Sequence, residues 1–163
     1  MNSRNRFPVS WKVTLGVDKN GDNYRQLLRE NGFSIGTWGE YVLARCNTSL
    51  ETRTLALVDV AVEDLGFKDD TRYDVICAKA LKFNLQRCPE EVGPVLRLLY
   101  RDQPMDEWLR IAMDPVVGPD GRYYIFGIER NDGGSWLVGD CGASEGFWRR
   151  NSRFIFCYTS GRR

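Results

Sequence analysis

Seven carboxylates crowd one stretch of the chain: Asp102, Asp106, Glu107, Asp114, Asp120, Glu129 and Asp132. Two carboxylates facing one cleft at roughly 5 to 9.5 Å can divide acid and base work between them, as glycoside hydrolysis requires. Asp120 and Asp132 each precede glycine and suit tight turns, so the catalytic candidates are Glu107 with Asp102 or Asp114. Other chemistries are excluded. The 163 residues contain no histidine, which removes Ser-His-Asp and Cys-His nucleophiles and most catalytic zinc sites. The five cysteines (Cys46, Cys77, Cys88, Cys141, Cys157) are widely spaced and contain no Cys-x-x-Cys pair; reduced thiols in a cytoplasmic protein are the expectation. Asp18 to Asp22 imitates the start of a calcium loop, but the positions that need Gly and Glu hold Asn23 and Arg29. No metal and no cofactor is expected.

Aromatic and arginine side chains make a second constellation. If Leu109, Ile111 and Met113 face the core, then Trp108 and Arg110 face outward. Tyr100, Arg101, Tyr123, Trp136 and Trp148 complete a set of candidate contact residues, a composition favoured at protein interfaces. A third set is basic. Net charge is only +1, yet residues 1–17 and 146–163 hold basic residues without a single acid, leaving the middle acidic. Arg4, Arg6 and Lys12 together with Arg149, Arg150 and Arg153 could form a nucleic-acid surface, with Phe147, Trp148 and Phe154 interleaved.

Strands and helices must position these groups. Val9 to Leu15 alternates as a half-buried strand. Asp22 or Asn23 can cap a helix through about Asn31, closed by Gly32, and Thr37 to about Arg45 reads as a second short helix. Leu55 to Val62 is a central strand with Asp59 in its middle. One long helix is expected from Thr71, capped with Asp74, to Arg87, where Cys88-Pro89 stops it. From Leu96-Arg97-Leu98-Leu99-Tyr100 onward, β-rich runs separated by Asp, Pro and Gly predict an antiparallel meander ending in Arg153 to Tyr158. The fold class is therefore α+β, a mainly antiparallel β-meander packed against one long helix, with shorter N-terminal helices. A single domain over residues 1–163 is expected, with residues 1–7 and 159–163 flexible. No apolar run approaches the roughly 20 residues of a membrane helix, so no membrane partner is expected.

From about Trp11 to Phe156 the chain resembles a group of small bacterial and mobile-element-associated proteins. The resemblance rests on Glu91-Val92-Gly93-Pro94, Leu96-Arg97-Leu98, Tyr100-Arg101-Asp102-Gln103-Pro104 and Glu107 to Pro115. It continues through Asp120-Gly121, Asp132-Gly133-Gly134-Ser135-Trp136-Leu137 and Phe147-Trp148. Residues 159–163 have no counterpart in that group, which carries no assigned activity or site. The resemblance implies a bacterial, phage or defence setting. The function expected from these readings is non-catalytic binding of a protein partner through the aromatic- and arginine-bearing sheet. Nucleic-acid binding through the basic ends is the alternative, and a carboxylate-dependent hydrolase the third.

Overall fold

The computed structural model describes residues 5–18 and 20–159. The N-terminal elements follow the sequence closely. Strand β1 (Trp11–Leu15) buries Val13 and Leu15. Helix α1 (Gly21–Glu30) is capped by Asn20 rather than by Asp22 or Asn23, and the Asn20 side chain accepts from the Asn23 N–H at 2.9 Å. Gly32, left-handed at φ 82°, ends it as Phe33 and Gly32 donate back to Leu28 and Arg29. A two-residue strand β2 (Ser34–Ile35) leads into α2 (Thr37–Ala44). Strand β3 (Arg53–Ala61) follows and continues into a single 3-10 turn, Val62–Leu65.

Two expectations are corrected next. The long helix 71–87 is a short one. Thr71–Arg72 is extended (β4), α3 covers Tyr73–Leu81, and Leu85–Gln86 is again extended (β5). The break is at Asn84, which adopts φ 62°, a left-handed conformation that Asn tolerates and that no helix interior accepts. The Thr71–Asp74 capping box does not form, because the Thr71 hydroxyl donates to the Asp69 carbonyl instead. Residues 96–100, expected as the first meander strand, are instead the end of a helix, α4 (Val92–Leu99), and its C-cap Tyr100, with Pro94 tolerated in the first turn. The remaining strands are β6 (Trp108–Ile111), β7 (Val116–Val117), β8 (Tyr123–Asn131), β9 (Gly134–Cys141), β10 (Phe147–Trp148) and β11 (Arg153–Tyr158).

The main sheet runs β1-β3-β11-β6-β8-β9-β2, antiparallel except where β11 meets β6 and β9 meets β2. Helix α4 touches β1 near one edge and β8 and β9 near the other, so the sheet curls around it. Its concave face presents Val13, Leu57, Ile155, Leu109, Ile111, Phe126, Ile128 and Leu137 to α4, all buried. Gly93 lies where α4 crosses β8: a Cβ there would stand 2.6 Å from Phe126 Cγ and 2.9 Å from its Cβ. On the convex face, Val58, Val60, Phe154 and Phe156 are buried, and Tyr73 of α3 packs against Phe154.

The ends are less free than expected. The Phe7 N–H donates to Tyr158 Oη at 3.1 Å, its carbonyl accepts from the same hydroxyl, and its ring meets Phe83 edge-on. Thr159 donates to the Asn84 carbonyl at 2.9 Å. Residues 1–4 and 160–163 lie outside the described residues. No helix among the described residues is long and apolar enough to cross a membrane.

Candidate functional site

Register builds the site on the convex face of β6, β8 and β9. Trp108 pairs with Glu129, and Glu129 with Trp136, so the three side chains stand abreast on one face. The next row is Arg110, Gly127 and Val138. Gly127 leaves room for its neighbours: a Cβ there would lie 3.0 Å from Trp108 Nε1 and 3.1 Å from Val138 Cγ2. The row beyond places Asp140 across from Ile125.

Arg110 organises this surface. Its guanidinium lies 4.3 Å from the Trp108 ring centre and 4.9 Å from that of Trp148, and its Nε donates to Asp140 at 3.2 Å. Trp148 is held from behind by an edge-to-face contact with Phe154 at 5.3 Å. The Arg110 and Asp140 side chains are 14% and 17% exposed, so this pair is more than a solvated surface bridge. Glu129 has no ion pair among the described residues, only a 3.5 Å contact from the Asn131 amide. Burial, with Asp140 nearby, holds its carboxyl above the usual range, and Arg110 draws it partly back. Trp136 donates from Nε1 to Asn131 Oδ1 at 3.1 Å, which fixes its indole over the β8–β9 turn. Trp108 is 40% exposed.

The other expected contact residues lie elsewhere. Tyr123 shares the convex face but at the far end of β8, 48% exposed. Tyr100 packs on Trp11 with ring centres 5.0 Å apart. Burial and a hydrogen bond to Glu107 push its hydroxyl up to about 12. Arg101 stands over Phe33 and donates to Asn31 at 2.5 Å.

Two of the carboxylate candidates, Glu107 and Asp114, are each held by a different arginine. Glu107 points to the concave side, where Arg153 donates to it at 3.3 Å and also grips Asp59 with two nitrogens. Asp59, unassigned in sequence terms beyond its odd position, is the nearest carboxylate partner through that arginine. Burial raises its pKa and Arg153 opposes the shift. Asp114 pairs with Arg87 at 2.9 Å and is 90% exposed, seven residues along the chain from Glu107. Asp102 sits on an exposed turn. No group of three potential metal ligands occurs among the described residues.

The basic set is dispersed too. Arg4 lies outside the described residues. Arg6 stacks on Phe83 at 4.9 Å near the end of β11, whereas Arg153 begins that strand and is neutralised by Asp59 and Glu107. Lys12 is on the edge strand β1, across from Ala56 on the face opposite to Arg153. Arg149 and Arg150 line an open cavity of about 900 Å³ with Lys68 but also with Glu63, Asp69 and Asp70.

Two buried charges flank α4 and went unnoticed in the sequence. Glu91, just before the helix, accepts from the Tyr24 hydroxyl, from Gly16 N–H at 3.0 Å and from Ser49 N–H at 2.7 Å. Arg97, in the last turn, donates to Gln103 and Tyr100 at 2.5 Å and to the Glu129 and Trp136 carbonyls at 3.3 and 3.4 Å. Burial lowers its pKa to about 10. An acid at the N-terminus and a base at the C-terminus both match the helix dipole. Compared with known proteins, the chain matches no family model, no curated protein and no solved structure.

Proposed function

We propose that this protein is a non-catalytic binding protein that docks a protein partner on the convex face of β6, β8 and β9. The observation that carries the reading is the row Trp108–Glu129–Trp136 beside the Trp108–Arg110–Trp148 stack. Tryptophans and arginines supply most of the binding energy at protein interfaces, because they combine large apolar area with polar reach. Here Trp108, Arg110 and Trp136 share one face of β6, β8 and β9, and Trp108 is 40% exposed. The separate arginine partners of Glu107 and Asp114 count against a hydrolase built on those two, and the dispersal of the basic residues weakens the nucleic-acid alternative. From the sequence resemblance alone, the setting we propose is regulatory or defence-related, inside a bacterial cell and tied to mobile elements.

The test is comparative capture. Wild type, Trp108→Ser and the double variant Arg149→Ala/Arg150→Ala serve as baits, each checked for an unchanged fold by circular dichroism. A partner held by wild type and by the arginine variant but lost by Trp108→Ser, and reproduced with purified components, supports the reading. A partner indifferent to Trp108 overturns it. Retention of nucleic acid that the arginine variant abolishes would favour the alternative, with affinity falling steeply as salt rises.

A further inference from the structure

Resting on that docking face, we propose that Glu129 is the receptor for an arginine side chain of the partner, taken up between Trp108 and Trp136. The protein already contains the same arrangement once, filled from within. The Arg110 guanidinium contacts the indoles of both Trp108 and Trp148, at 4.3 and 4.9 Å, with Asp140 as its carboxylate. The neighbouring row repeats the parts and lacks the cation. Glu129 sits on the central strand, Trp108 and Trp136 sit directly across from it on either side, and no basic side chain pairs with it among the described residues.

Two physical points favour a guanidinium as the occupant. A planar, weakly hydrated guanidinium stacks on indole and bonds a carboxylate at the same time, which a compact ammonium does less well. The nearest internal cation, Arg110, is committed to Asp140, so the charge of Glu129 is left for an incoming group. Carrying that charge half-buried is costly, as its upward shift indicates. A surface glutamate with no ion partner among the described residues is accounted for when the partner comes from outside.

The experiment titrates acetyl-Gly-Arg-Gly-amide, its citrulline analogue and its lysine analogue into the full chain, following the indole N–H resonances by NMR. One side chain binds weakly, on the order of millimolar. The arginine peptide should move the Trp108 and Trp136 signals in a saturable way, while citrulline, equal in shape and uncharged, should leave them in place. Glu129→Gln should weaken the arginine response about tenfold or more. Because it removes a costly half-buried charge, that variant should melt no lower than wild type, so loss of binding cannot be loss of fold. Equal response to citrulline, a stronger response to lysine, an unchanged Glu129→Gln affinity, or no movement of the two indoles overturns the proposal. The two readings fail separately. A captured partner lost with Trp108→Ser yet kept at full affinity by Glu129→Gln refutes the arginine receptor and leaves the docking face standing. A partner kept by Trp108→Ser refutes the face.

Discussion

Arg110 offers the most demanding prediction. Arg110→Ala removes two cation–aromatic contacts, at 4.3 and 4.9 Å, and an ion pair at 3.2 Å whose side chains are less than one-fifth exposed. Partly desolvated cation–aromatic contacts contribute about 1 kcal/mol each. An ion pair between the surface and buried limits adds about 1 to 2 kcal/mol. The loss should total about 3 kcal/mol, a fall in Tm of about 9 °C for a domain of this size. Arg110→Lys keeps charge but not the plane, and should lose about half as much. The penalty should also depend on pH. Glu129 is raised on folding, and Arg110 is the group that pulls it down. A carboxylate raised on folding costs stability fully above its folded pKa, and the cost vanishes as pH falls below the unfolded value of about 4.3. Deleting Arg110 enlarges that cost at neutral pH only. Urea unfolding of both proteins should therefore show a smaller difference at pH 4 than at pH 7. A difference under about 0.5 kcal/mol at pH 7, or one that grows on acidification, would refute the view that Arg110 holds this surface together.

Three more predictions concern the scaffold and the thiols. Gly93→Ala places a methyl against Phe126, and should cost about 1 to 3 kcal/mol despite the better helix propensity of alanine; urea unfolding that shows a gain would mean α4 sits farther from β8. Glu91→Gln sets an amide N–H₂ against one of three donors and should cost about 2 kcal/mol, Tyr24→Phe somewhat less, and the pair less than their sum. Additivity in that cycle would deny the shared carboxylate. A thiol reagent should find one fast cysteine in the native protein, Cys141, since Cys77, Cys88 and Cys157 are buried and the Cys46 thiol is pushed up to about 12 by burial. Two fast thiols would contradict this packing.

The outward row of the site was half legible. Alternation around Leu109 and Ile111 correctly turns Trp108 and Arg110 outward. The two-residue Asp132-Gly133 connection pins the hairpin so that Glu129 must face Trp136. That register is enough to place Glu129, one of seven carboxylates in this stretch, among the aromatic contact residues. Trp108 against Glu129 was not legible, because the connection from Tyr100 to Glu107 fixes that register through tertiary bonds of Gln103 and Arg130. Helix α4 misled for a different reason. Val92, Gly93, Pro94, Leu96 and Arg97 are all buried, so the helix has no polar stripe to betray its period, and Leu96-Arg97-Leu98 imitates a strand. The signal available was Pro94 after two glutamates, a combination at home in a first helical turn.

This burial changes what the dense motif from Glu91 to Glu107 means. Its spacing looks functional because charged and polar residues recur in a fixed pattern. Yet Glu91, Arg97 and Gln103 are 0% exposed and each is consumed by internal hydrogen bonds. Arg97 bonds the backbone of Glu129 and Trp136, and Gln103 bonds that of Glu107 and Ile128. The motif is thus the underside of the site: its bonds hold β8, β9 and the start of β6, the three strands whose convex face carries the indoles and the carboxylate. Substituting Arg97 should then disturb Glu129 and Trp136 together, without touching either side chain. Arg97→Met, if it folds, should shift both indole resonances and lose the arginine-peptide response. A folded Arg97→Met that binds the peptide as wild type does would show that the two faces are built independently.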